Sequence, residues 1–171
     1  SKNKRIDNLI RVVYFLKKKV PDVKLYVVGE DWGVILRDLK KMVEERDLKE
    51  NIFFIGNVKD RRKLLDYYSR SQVFVSASQY EGFGISVLEA MASGMVVAVN
   101  DIVTFRDFVK NDENGFIVDY SRPEAVANKI ASLLEGDLTQ IKRTARGTAE
   151  DYDWGKIVKK IEMFYKSRVS K

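Results

Sequence analysis

The sequence predicts an α/β fold, a doubly wound parallel sheet with helices on both faces. Three observations carry that prediction. Short apolar runs alternate with longer stretches of helical periodicity along the whole chain. The runs are nearly continuous in Val, Ile and Phe, as strands buried on both faces should be. Gly29, Gly56 and the pair Gly82 and Gly84 lie beyond three of the runs, at the carboxyl edge where such sheets bind ligands.

The elements follow in order. Ile6, Leu9, Ile10, Val13, Leu16 and Val20 recur at helical spacing, which predicts a helix from about Arg5 to Lys19, stopped before Pro21. Its lysine-rich end suits the negative pole of the helix dipole. A basic amphipathic helix can also lie on a membrane, but one apolar stripe is the ordinary mark of a helix packed on a core. Lys24 to Val28 reads as a first strand, Val34 to Arg46 as a helix, and Ile52 to Ile55 as a second strand. A helix from Arg61 to Arg70 leads to a third strand, Val73 to Val75. The pattern then gives a helix from Gly84 to Ser93, a strand from Val96 to Val99 and a short helix from Thr104 to Lys110. Asn114-Gly115 turns into a fifth strand, Phe116 to Val118. Three helices close the chain, at Arg122 to Leu134, Leu138 to Glu150 and Trp154 to Ser167, the first with Pro123 at a tolerated early position. No repeat, low-complexity tract or linker interrupts the pattern, so residues 1–171 are read as a single domain.

Composition narrows the function. The chain has no cysteine and no histidine. That removes disulfides, thiolate or imidazole metal ligands, and a Ser-His-Asp site within these residues. It fits a reducing compartment. The net charge of +6, from 31 Lys+Arg against 25 Asp+Glu, suits anionic partners. High charge without cysteine is a weak hint of a thermophile. No apolar run is long enough to span a bilayer, and the N-terminus lacks a signal-peptide layout.

The stretch from Ser78 to Gly94 holds the chemistry. A strand runs into it and a helix leaves it. Glu81 and Glu89 bracket a Gly-Phe-Gly turn with seven residues between them. Free N–H groups at the helix start, with the dipole, favour a phosphate there. Glu89, about a turn and a half into the helix, suits a vicinal diol such as a ribose. Glu81, on the other side of the anion, suits a second polyol or a developing positive charge. The third glycine of the dinucleotide fingerprint is absent, since Val87 holds its place, and so is the Walker pattern. Taken singly, each glutamate reads as a turn or solvated helix residue.

The run from Glu81 to Gly94 resembles the Glu-x7-Glu signature of the family 4 retaining glycosyltransferases. Similar matches occur at Leu25 to Gly29, Ile52 to Val58, Leu65 to Ser78, Asn114 to Val118 and Tyr152 to Val158. The resemblance therefore spans nearly the whole chain. It implies the C-terminal, donor-binding half of the two-domain GT-B fold, a Rossmann-like unit. It implies a nucleotide-diphosphate sugar as donor, with no cofactor and no required metal, and transfer of a hexosyl group to a glycan or lipid-linked acceptor. Glu81 and the backbone of Gly82, Phe83, Gly84 and Ile85 would contact the donor sugar and phosphates, and Glu89 would hold the ribose. Lys4 would neutralise the diphosphate leaving group. Val58 would lie by the base, and Gly29 at the family's strand-ending glycine. Two departures matter. Met95 stands where the family has proline. The family's strand bearing a Gly-Arg pair precedes the Lys4 segment and lies centrally, between the Leu25 and Val73 strands. The chain starts too late to include it, so either upstream residues supply it or those two strands pair directly. The N-terminal acceptor domain is absent as well, so the chain alone is expected not to transfer sugar. The expected setting is the cytoplasm, with peripheral membrane contact left open.

Other readings make different demands. A non-catalytic nucleotide- or phosphate-binding module would keep the cradle without turnover. A receiver-like signalling domain needs clustered acids at strand ends, of which Glu30-Asp31 is a faint echo. A nucleic-acid binder would use the positive charge, but no interleaved aromatic and basic stripe is present.

Overall fold

In the computed structural model, residues 2–29 and 34–169 are described. The Glu30-Asp31 pair lies outside them. A 3-10 turn at Lys2–Lys4 precedes α1 (Ile6–Lys17), β1 (Leu25–Val28), α2 (Val34–Glu45), β2 (Ile52–Gly56) and α3 (Arg61–Arg70). β3 (Val73–Ser76), α4 (Ile85–Ala92), β4 (Val96–Asn100), α5 (Val103–Arg106) and β5 (Phe116–Val118) follow. α6 (Pro123–Glu135), α7 (Thr139–Asp151) and α8 (Trp154–Val169) complete the chain. All strand pairings are parallel, β1 with β2 and β4 with both β3 and β5.

β4 shows why the sequence builds this architecture. Val96, Val97, Ala98 and Val99 are fully buried. Val97 and Val99 pack with α4, α5 and α7 through Val87, Met91, Phe105 and Ala145. Val96 and Ala98 face the other way, towards Phe116 and Leu133. A strand with helices on both faces has no wet side, so its sequence is an unbroken apolar run. Tyr120 follows β5, is 1% exposed, and donates its hydroxyl to the Ala98 carbonyl at 2.7 Å. Tyr120→Phe is expected to lower stability by about 1 kcal/mol, because that buried carbonyl loses its phenol donor. Urea denaturation checks it, and an unchanged midpoint would count against the bond.

The sheet is divided. β1–β2 and β3–β4–β5 are separate ladders, and β1 and β3 do not pair. Direct pairing of the Leu25 and Val73 strands, one of the two expectations above, is therefore overturned. α1 bridges the two ladders. Its Leu9, Val12 and Leu16 pack with α6 residues and Ala77, while its Ile10 and Val13 pack with Val27, Leu39 and Val43. One helix thus packs against both half-sheets, and the gap between them falls where the resemblance places a further central strand. Between them runs a cleft of about 970 Å3.

Predicted and observed elements agree closely, with one instructive difference. The helix expected through Lys110 ends at Arg106. The Asn114 side chain accepts from the Lys110 N–H at 2.6 Å and donates to the Phe108 carbonyl at 2.9 Å. It occupies backbone groups that a continuing helix would use on itself. α8 leaves Trp154, Met163, Phe164 and Tyr165 exposed. Among the described residues, no helix is long and apolar enough to cross a membrane.

Candidate functional site

The site is built at the carboxyl edge, where β3 gives way to α4. Ser78 is buried, and its carbonyl accepts from Asn100 Nδ2 at 3.0 Å. The Gln79 N–H donates to the Asn3 carbonyl at 3.0 Å, and Asn3 Nδ2 donates to the Tyr80 carbonyl at 2.5 Å. Thr104 Oγ1 donates to the Glu81 carbonyl at 2.9 Å. The loop is thus tied to the N-terminal turn, the end of β4 and α5 before any ligand arrives.

Gly84 is the N-cap of α4, with φ 91° and ψ 39°. This left-handed backbone is one that side-chain-bearing residues adopt rarely. It turns the chain so that the first N–H groups of α4 face the loop. No side chain caps that end, which leaves it suited to an anion. Phe83 faces away from the cleft. Its ring lies 6.4 Å from that of Phe108 and 5.7 Å from that of Tyr152, so any contact it makes with a cleft ligand is through its backbone.

Lys4 Nζ donates to Glu81 Oε1 at 2.5 Å. The Glu81 side chain is 15% exposed and that of Lys4 46%, so the carboxylate sits at the base of the pair and the ammonium at its mouth. Glu89 is exposed on α4, and its Oε2 accepts from the Tyr68 hydroxyl at 3.2 Å. Burial, and then the Glu89 charge and hydrogen bond, push the Tyr68 phenol above its usual range. Lys4, Gly29, Val58, Glu81 and Glu89 all line the one cleft, together with Tyr68 and Ser86. The rest of that cleft is walled mainly by apolar residues of the gap between the half-sheets, among them Leu9, Val13, Leu16 and Leu134, while Lys4 meets Glu81 and Tyr68 meets Glu89 directly. Gly82, Phe83, Gly84 and Ile85 form the turn at its rim rather than its lining.

A constellation of two carboxylates, one cation and an uncapped helix start at a strand–helix junction can bind a phosphate flanked by two polyols. The family model described as "Glycosyl transferases group 1" matches residues 1–166. The chain belongs to the group 1 glycosyltransferases. It is 35% identical over 136 residues to the poly(ribitol-phosphate) α-N-acetylglucosaminyltransferase of Staphylococcus aureus, covering 79% of this chain and 27% of that protein. A mutant of S. aureus TarM, crystallised with fondaparinux, α-GlcNAc-glycerol and UDP, shares 33% identity at a TM-score of 0.80. The likeness covers 92% of this chain and 32% of that one. A crystal structure of the C-terminal domain of LpcC, a glycosyl transferase group 1 family protein from Francisella tularensis, shares 28% identity at a TM-score of 0.77. There the coverage is 88% of this chain and 80% of the other. The chain thus spans about a quarter of its curated S. aureus relative but most of an isolated C-terminal domain.

Four residues of the site escaped the sequence reading. Asn3, Asn100 and Thr104 hold the loop by bonding its backbone carbonyls, and ordinary polar residues at element ends give no signal of that. Tyr68 lies on α3, two residues from its end, and only its helical phase could have suggested a partner on α4.

Proposed function

We propose that this chain is the donor-binding domain of a two-domain retaining glycosyltransferase. It takes a nucleotide-diphosphate sugar in the cleft and serves transfer of a hexosyl group to a glycan or lipid-linked acceptor. An N-terminal acceptor domain of the same enzyme would complete the active site, so the chain alone would not turn over. The observation that carries this reading is the Lys4–Glu81 pair set, with Glu89, around the uncapped start of α4 at the carboxyl edge of β3. The UDP bound by TarM and the separate C-terminal domain of LpcC support it.

In this reading Glu89 accepts the ribose hydroxyls, the α4 start and the Gly82 to Ile85 backbone receive the phosphates, and Glu81 faces the sugar. Val58 and Gly29 line the end where a base would lie. Lys4 neutralises the diphosphate, so no metal is required. Placement is cytoplasmic, with peripheral contact at a membrane where the acceptor is lipid-linked.

Calorimetric titration with UDP-, GDP- and ADP-sugars tests the reading. Glu89→Ala is expected to weaken the bound donor about 10- to 100-fold, the worth of hydrogen bonds to a charged group. Failure of all three nucleotides to bind, or a Glu89→Ala chain that binds like the parent, would sink it.

A further inference from the structure

We infer that Tyr68 is a positioning residue for donor binding, whose hydroxyl fixes the Glu89 carboxylate to receive a ribose diol. This rests on the donor-site reading above and adds a residue to it. Glu89 stands exposed in the middle of α4. A free glutamate there samples many rotamers, and a ligand that needs one of them must order the side chain on binding. Tyr68 removes much of that freedom. It reaches Glu89 Oε2 from a different helix, 21 residues back along the chain, at 3.2 Å.

The anchor itself is rigid. The Tyr68 ring packs against the core formed by α4, β4 and α5, with its centroid 6.4 Å from that of Phe74. A tyrosine has only two side-chain torsions, so little freedom remains once its ring is packed. A phenol keeps its proton at neutral pH, and burial beside Glu89 raises its pKa further, so Tyr68 is the donor and Glu89 the acceptor. The bond uses one lone pair of Oε2 and leaves Oε1 and the remainder of Oε2 for two hydroxyls. Both side chains line the cleft that also holds Lys4 and Gly29, so the oriented carboxylate opens onto the ligand space.

The test uses Tyr68→Phe, which removes one oxygen and keeps the ring that packs the core. UDP and GDP are titrated first, and the tighter of the two is carried forward with its 2′,3′-dideoxy analogue. The expected result is a five- to tenfold weaker affinity of Tyr68→Phe for the ribonucleotide, from loss of one hydrogen bond's worth of ordering. Affinity for the dideoxy analogue is expected to stay within twofold of the parent. A Tyr68→Phe chain that loses both ligands equally points to a purely structural role and overturns the inference, as does one that loses neither while Glu89→Ala weakens the ribonucleotide. If Glu89→Ala and removal of the diol both leave affinity unchanged, or if neither nucleotide binds, the donor-site reading fails first and this inference with it.

Discussion

Gly84→Ala is expected to lower folding stability by about 2–4 kcal/mol, the largest loss from any single methyl group near the site. Two costs combine. The backbone at Gly84 has φ 91°, and holding an L-residue in the left-handed region costs about 1–2 kcal/mol. A Cβ built there would also lie 2.8 Å from Phe105 Cε1 and 3.3 Å from Phe108 Cζ. Phe105 is completely buried and cannot swing aside, and overpacking of this kind costs about 1–3 kcal/mol. Neighbouring glycines separate the two terms. Gly94 has φ 78° and nothing within 4 Å of its Cβ position, so Gly94→Ala should carry the backbone cost alone, about 1 kcal/mol. Gly82 has neither the positive φ nor a neighbour, and Gly82→Ala should fold normally while crowding the proposed phosphate site. Urea denaturation of the three variants checks the order. Equal losses at Gly84 and Gly94 would remove the steric argument.

How much of this was legible beforehand depends on the distance over which each feature is determined. Strands and helices are set by local periodicity, and β4 is the clearest case because burial on both faces leaves four apolar residues in a row. The turn at Gly82 to Gly84 was legible because glycines at a strand–helix junction permit few other readings. Lys4 could not be joined to Glu81 by spacing, since 77 residues separate them, and resemblance alone linked them to one donor. The divided sheet was legible only through the resemblance, which puts a further strand between β1 and β3; by composition the two read as ordinary interior strands that could pair directly. The early end of α5 was not legible, since one asparagine side chain takes over the helix's backbone partners from beyond its end.

The two tiers of the site then follow from burial. Groups that hold the loop, such as Ser78, Asn100 and Thr104, sit inside or half inside the core and are spent on backbone contacts. Groups offered to a ligand, Glu81, Glu89 and Lys4, extend from that frame into the cleft, and all three are already hydrogen-bonded to another side chain of the lining, Lys4 to Glu81 and Glu89 to Tyr68. A pre-bonded carboxylate loses less freedom when a ligand arrives than a free one would. In the proposed reading Lys4 closes this pattern, its charge serving Glu81 before the donor binds and the diphosphate afterwards.

That double duty gives the largest expected effect on activity. In the proposed two-domain enzyme, Lys4→Ala is expected to lower turnover about 10^2- to 10^3-fold, the scale for removing one preorganised group from developing charge. Donor affinity should fall less, by under about tenfold, for a reason of charge accounting at the leaving group. The bound diphosphate is already anionic, and breaking its bond to the sugar adds one further negative charge. An ammonium beside the diphosphate therefore gains more in the transition state than in the ground state. The ammonium has three donors, so it can keep Glu81 Oε1 at 2.5 Å while another hydrogen reaches a phosphate oxygen. Removing it also strips Glu81, only 15% exposed, of its counter-charge, so a Glu81→Gln/Lys4→Ala double variant should lose less than the sum of the two singles. Lys4→Arg keeps the charge and should restore part of the rate. Turnover, donor Kd and the double-mutant cycle measured together decide the matter. A Lys4→Ala enzyme whose Kd rises as much as its turnover efficiency falls would make Lys4 a uniform binding residue, with no special claim on the departing diphosphate.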